Sequence, residues 1–126
     1  TSNLLINVHQ YLDSDFSGTQ NSCQNVAALS STGVNGFNLQ AFADYLKSNG
    51  LQAIVTEVGA ATSAASSCQA TLKGFIDYLN TNAASESAGF VGMTLWGAGH
   101  GWGSYNLYVD PTTYQFTTMM NEEIGQ

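Results

Sequence analysis

Three short runs of apolar residues organise the chain. Leu4-Leu5-Ile6-Asn7-Val8 leads to His9, Ala53-Ile54-Val55-Thr56-Glu57-Val58 leads to Gly59, and Phe90-Val91-Gly92-Met93-Thr94-Leu95-Trp96 leads into a glycine-rich stretch. Near-continuous apolar runs of this length predict strands buried on both faces, as in a parallel sheet. Between them the spacing changes to that of a helix. Leu39, Phe42, Ala43 and Leu46 fall at i, i+3, i+4 and i+7, and Asn49-Gly50 supplies a stop. Leu72, Phe75, Ile76 and Leu79 repeat the pattern, with Ser66 or Ser67 as a cap, and a weaker pattern from Tyr114 to Ile124 predicts a last helix after Pro111. The order is β-α-β-α-β-α, an α/β class with right-handed crossovers.

The loops are unequal. Helix-to-strand links such as Gly50 to Ala53 are short, whereas the strand-to-helix segments from His9, Gly59 and Gly97 are long and hold most of the Trp, His and Gly residues. In α/β folds function gathers at the carboxyl ends of the strands, so the search for chemistry begins there.

Glu57 is the sharpest signal. A carboxylate at the end of an apolar strand costs several kcal/mol to bury unless it is paired or used. The residues alone fit equally a glutamate that hydrogen-bonds a neighbouring loop. His9 and Tyr11 share one side of the first strand by period-two alternation and suit a role beside a carboxylate, the tyrosine hydroxyl holding it ionised. Taken alone, they fit better a satisfied core histidine beside a packing tyrosine. Trp96, His100 and Trp102 lie in or beside Gly97-Ala98-Gly99-His100-Gly101-Trp102-Gly103. One of the two tryptophans suits a sugar platform, and both also suit capping of the core. Asp13 and Asp15 are expected to cap turns.

Composition narrows the function. Of 126 residues, 44% are hydrophobic, enough for one domain with a real core. Nine acids face only Lys47 and Lys73, with no arginine, for a formal charge of −7. That charge excludes a nucleic-acid footprint and disfavours an anionic membrane surface. No apolar run reaches the ~20 residues of a span. No charged segment precedes an apolar leader, so any signal peptide is expected to be gone. An uncharged surface of Ser, Thr, Asn, Gln and Gly suits a secreted protein and a neutral polymer as ligand. In that compartment Cys23 and Cys68 read as one disulfide, against the alternative of two buried thiols. Phosphate-binding glycine loops, metal-spaced His/Cys clusters and nucleophile-elbow serines are missing, so no cofactor and no metal are expected.

His9-Gln10-Tyr11-Leu12-Asp13-Ser14-Asp15, followed by Ser17-Gly18-Thr19 and Cys23, resembles fungal endoglucanases of glycoside hydrolase family 5. In that family the matching histidine and tyrosine follow strand six of a (β/α)8 barrel. Ala53 to Gly59 is similar to strand seven, and Leu95-Trp96-Gly97-Ala98-Gly99 with Trp102 and Gly103 to strand eight and its loop. The resemblance runs from Leu5 to about Thr112. It implies that Glu57 is the nucleophile, Tyr11 its hydrogen-bond donor and His9 its direct neighbour. It also implies that Trp96 stacks under the sugar, with Trp102 and His100 beside the substrate, and that Cys23 and Cys68 fall where such enzymes have cysteines. The family often has two adjacent tryptophans where this chain has Leu95-Trp96.

A second departure is larger. The family's acid/base glutamate lies in an Asn-Glu-Pro motif after strand four. Here the one proline, Pro111, follows Asp110, and Asn121-Glu122 is followed by Glu123. Retaining hydrolysis needs two carboxyl groups about 5–5.5 Å apart. Residues 1–126 therefore read as a single partial barrel of half type: three β-α units with a parallel sheet, its edges bare, completed by a partner chain. A homodimer with a two-fold along the barrel axis would keep six strands parallel and set the two copies of Glu57 three strands apart. The implied activity is endo-β-1,4-glucanase on a β-glucan or cello-oligosaccharide. The competing readings are a glucan-binding protein without catalysis and an inactive fragment of a full-length cellulase.

Overall fold

The computed structural model describes residues 4–25, 39–61, 66–84, 88–98 and 100–109. Strand β1 spans Leu5–Tyr11, helix α1 Leu39–Asn49, β2 Gln52–Gly59, helix α2 Ser66–Thr81 and β3 Gly89–Leu95, with a 3-10 turn at His100–Trp102. The predicted strands and two predicted helices are all present. The helix predicted from Tyr114 to Ile124 and the side chains of Ser66 and Ser67 lie outside the described residues. No helix among the described residues is long and apolar enough to cross a membrane.

The three strands form one parallel sheet in the order β1-β2-β3. The core lies between this sheet and the helices. Leu39, Ala43 and Leu46 of α1 and Cys68, Leu72, Phe75 and Leu79 of α2 join Ala53, Val55, Val58 and Phe90 in a single buried cluster. Each large aliphatic or aromatic side chain so buried contributes roughly 1.5–3 kcal/mol. Helix α1 stops at Gly50, whose φ of +61° is a left-handed position that glycine takes without Cβ strain. Leu51 N–H then donates to the Leu46 carbonyl at 2.9 Å, closing the end of the helix.

The expectation that strands are buried on both faces holds only for the helix-facing side. Along β1, Leu5, Asn7 and His9 are exposed, while Ile6 and Val8 pack against the core. Leu5 keeps 46% of its surface and Val91 of β3 keeps 45%. Strict alternation of this kind marks a sheet covered on one side.

Register carries the next step. Val8 of β1 pairs with Val55, but the following residue, His9, pairs with Glu57. On the other side Val55 pairs with Met93 and Val58 with Leu95, three steps against two. Both neighbours thus record one extra residue in β2 at Thr56-Glu57, a β-bulge. Without it, period-two alternation would put Glu57 on the core side with Val55. With it, Val58 takes the buried place and Glu57 is turned out, half-buried.

Candidate active site

The bulge places Glu57 at the carboxyl end of β2, between the tips of β1 and β3. The Tyr11 hydroxyl donates to Glu57 Oε2 across the β1–β2 pair. His9 Nδ1 lies 3.4 Å from the same oxygen, with side-chain exposures of 50% for His9 and 20% for Glu57. Burial, then the bond to Glu57, raises the Tyr11 phenol well above the ordinary tyrosine range, so it stays a donor. The three residues singled out from sequence therefore meet on one carboxylate.

Glycine eases this convergence. A Cβ on Gly59, the last residue of β2, would lie 2.6 Å from Leu107 Cδ2, 3.1 Å from Tyr11 Cδ1 and 3.3 Å from the Trp96 carbonyl oxygen. The Leu107 side chain would have to shift and both strand tips to give by a few tenths of an ångström, so a residue without a side chain suits this crossing. Leu12 N–H donates to the Gly59 carbonyl at 2.8 Å and Trp96 N–H to that of Val58 at 2.7 Å.

Trp96 follows β3, and its peptide bond to Gly97 is cis. The two tryptophans are in contact, with ring centroids 5.0 Å apart at 68°. Trp102 also packs on Tyr105 at 5.2 Å, and its indole lies over Gly97, where a Cβ would come within 2.9 Å of Cε2. Burial raises the Tyr105 phenol, and the neighbouring Trp96 side chain works against that rise. Both tryptophans are half-buried, so each keeps part of a ring available. His100 opens the 3-10 turn, and its side chain lies outside the described residues.

Tyr105, Leu107 and Gly59 were not singled out in the sequence. Tyr105 and Leu107 sit in the short segment Tyr105-Asn106-Leu107-Tyr108-Val109, where nothing local marks which residue folds back onto the strand tips. Asp13 is completely buried and accepts from three backbone N–H groups, the turn-capping role expected of it. Asp15 is held below its usual range by the Ser17 hydroxyl and backbone. The disulfide Cys23–Cys68 is formed and ties the loop after β1 to α2. Among the described residues no three His, Cys, Asp or Glu side chains cluster as metal ligands.

Comparison with known proteins gives this arrangement a context. The family model "Cellulase (glycosyl hydrolase family 5)" matches residues 1–98. Endoglucanase 1 of Robillarda sp. is 37% identical over 101 residues, 80% of this chain and 22% of that protein. Endoglucanase EG-II of Hypocrea jecorina is 37% identical over 113 residues, 90% of this chain and 24% of that protein. Among solved structures, Cel5A (EG2) from Hypocrea jecorina superposes with a TM-score of 0.72 at 33% identity, covering 95% of this chain and 34% of that one. XacCel5A in complex with cellopentaose gives 0.71 at 28% identity, covering 93% and 36%. The chain thus spans about a quarter of the length of these curated relatives and about a third of these solved chains. With a family model over more than three-quarters of its residues and a parallel sheet matching those of its structural neighbours, this chain belongs to the cellulase family, glycosyl hydrolase family 5.

Proposed function

We propose that the protein is an endo-β-1,4-glucanase that cleaves β-glucan with retention, and that these residues supply its nucleophile. The observation that carries the reading is the shared contact of Tyr11 and His9 on a single oxygen of a half-buried Glu57. With Oε2 held, Oε1 is the oxygen that attacks the anomeric carbon. The carbon–oxygen bond to the leaving sugar breaks as the glycosyl ester forms, and an acid protonates the departing oxygen. Water, deprotonated by the same group, then releases the sugar and restores Glu57. Tyr11 steadies the carboxylate, Trp96 and Trp102 offer ring faces to the sugar, and His100 stands beside them in the loop.

The acid/base carboxylate comes from outside the residues described here. In this reading residues 1–126 form a single partial barrel domain, and a second copy completes it. The support is the exposure of Leu5 and Val91 on one sheet face and the place of β1 and β3 at the two edges of the sheet among the described residues. The protein would be secreted, as its charge-poor surface and its disulfide suit.

Reducing-sugar release from carboxymethyl cellulose, with Glu57→Gln beside the parent, tests the activity. Equal rates in the two would overturn it. Sedimentation at low concentration tests the assembly, and a folded monomer with full activity would overturn the paired barrel.

A further inference from the structure

We propose that Asp13 is a positioning residue for Tyr11, and through it for Glu57, acting by folding the loop after β1 back onto the tyrosine ring. The inference rests on the reading of Glu57 as nucleophile.

Asp13 lies two residues beyond Tyr11 with no exposed surface, so it is not placed to touch a substrate. A buried carboxylate needs partners, and here the loop itself provides them. Gly18 N–H donates to Oδ1 at 3.0 Å, Thr19 N–H and Gln20 N–H to Oδ2 at 2.9 Å each, and the Ser17 hydroxyl to Oδ2 at 3.2 Å. These bonds draw residues 17–20 into a tight return around the carboxylate. At its inner point Gly18 adopts φ +78° and lies flat on Tyr11, where a Cβ would sit 3.0 Å from Cδ1 and 3.2 Å from Cε1 and Cγ. Gly59 meets the same Cδ1, its own Cβ position being 3.1 Å away. Two bare backbones therefore hold one ring, and the ring sets where the hydroxyl points.

The loop is rooted on both sides. Asp13 bridges Cys23 in antiparallel fashion, Ser14 N–H donates to Ser22 at 2.8 Å and Gln24 N–H to Leu12 at 2.9 Å. Cys23 is bonded to Cys68 of α2, and the Thr71 hydroxyl donates to the Gln24 carbonyl. Force applied at Gly18 thus has a fixed base to act against.

The test uses Asp13→Asn, which keeps the shape and turns one acceptor into a donor, and Gly18→Ala, which keeps the carboxylate and crowds the ring directly. Each is made alone and with Tyr11→Phe. The first readout is the Cζ resonance of Tyr11 in carbon-13 tyrosine-labelled protein at neutral pH. Both single variants are expected to shift it. In the active protein both are expected to lower kcat about tenfold with KM within about twofold, and neither adds a loss to Tyr11→Phe. An unmoved Tyr11 resonance, or an equal loss of kcat in the Tyr11→Phe background, overturns the proposal. If Asp13→Asn does not fold, Gly18→Ala decides it. If the parent shows no glucanase activity, that defeats the nucleophile reading, while the resonance still decides whether Asp13 sets the ring.

Discussion

The hydroxyl of Tyr11 and the carboxylate of Glu57 are 46 residues apart in the chain and hydrogen-bonded across two parallel strands. A bond from a neutral donor to a charged acceptor contributes roughly 1.5–3 kcal/mol. Tyr11→Phe is therefore expected to lower kcat/KM about 10- to 100-fold with the fold intact by circular dichroism. On the proposed reading of Glu57 as nucleophile, Glu57→Gln should lower it by ~10³-fold or more. Similar rates for Tyr11→Phe and the parent would mean that the bond plays no part in turnover.

Three phenols share a direction. Burial raises Tyr11, Tyr105 and Tyr78, the last to about 12. The folded protein keeps these protons to higher pH than the unfolded chain, where a phenol loses its proton near about 10. Their contribution to stability is thus whole below about pH 10 and is lost as pH rises through the folded values. Urea unfolding is expected to show stability falling above about pH 10, less steeply in Tyr11→Phe and Tyr78→Phe. Parallel slopes in all three proteins would assign the alkaline loss to other groups.

Trp96 packs edge-to-face with Trp102, and Trp102 packs in turn on Tyr105. Trp96→Ala is expected to weaken cello-oligosaccharide binding about tenfold, and Tyr105→Phe by less, because the ring that packs on Trp102 is kept. Gly97→Ala should disturb the same site from behind, its Cβ falling 2.9 Å from the Trp102 indole. Calorimetric titration of the three variants checks the order.

Phe75 has no exposed surface and stands at the centre of the helix–sheet core. Phe75→Ala is expected to cost about 3–5 kcal/mol in chemical unfolding, the usual price of a large cavity. A cost below about 1 kcal/mol would show that the core closes over the gap.

The strands and helices were legible because apolar spacing switches cleanly between Leu5, Leu39, Ala53, Leu72 and Phe90. Glu57, Tyr11 and His9 were legible because polar groups at the ends of apolar strands demand a reason. The bulge was visible in principle, since Ala53 and Val55 set a phase that Val58 breaks. Its consequence for Glu57 needed the pairing on both sides. Tyr105 and Leu107 were illegible because they reach Trp102 and Gly59 through side-chain packing, which local spacing does not show. The depth of Asp13 was hidden for a related reason: three of its donors are backbone groups, which every sequence has. The uncovered face of the sheet is likewise a property of what surrounds a strand, and an apolar run reads the same whether or not its second face is covered.

The bridge between Cys23 and Cys68 closes a ring across 45 residues of chain. Helix α1 and strand β2 lie wholly inside that ring, Glu57 with them, whereas Tyr11 and Trp96 lie outside it. One protease cut anywhere from 24 to 67 therefore yields two polypeptides that stay covalently joined, each end keeping its grip on the same sheet. Nicked protein should run as one band without reductant and as two with it, and the piece bearing Glu57 should not be lost on dilution until the bridge is reduced.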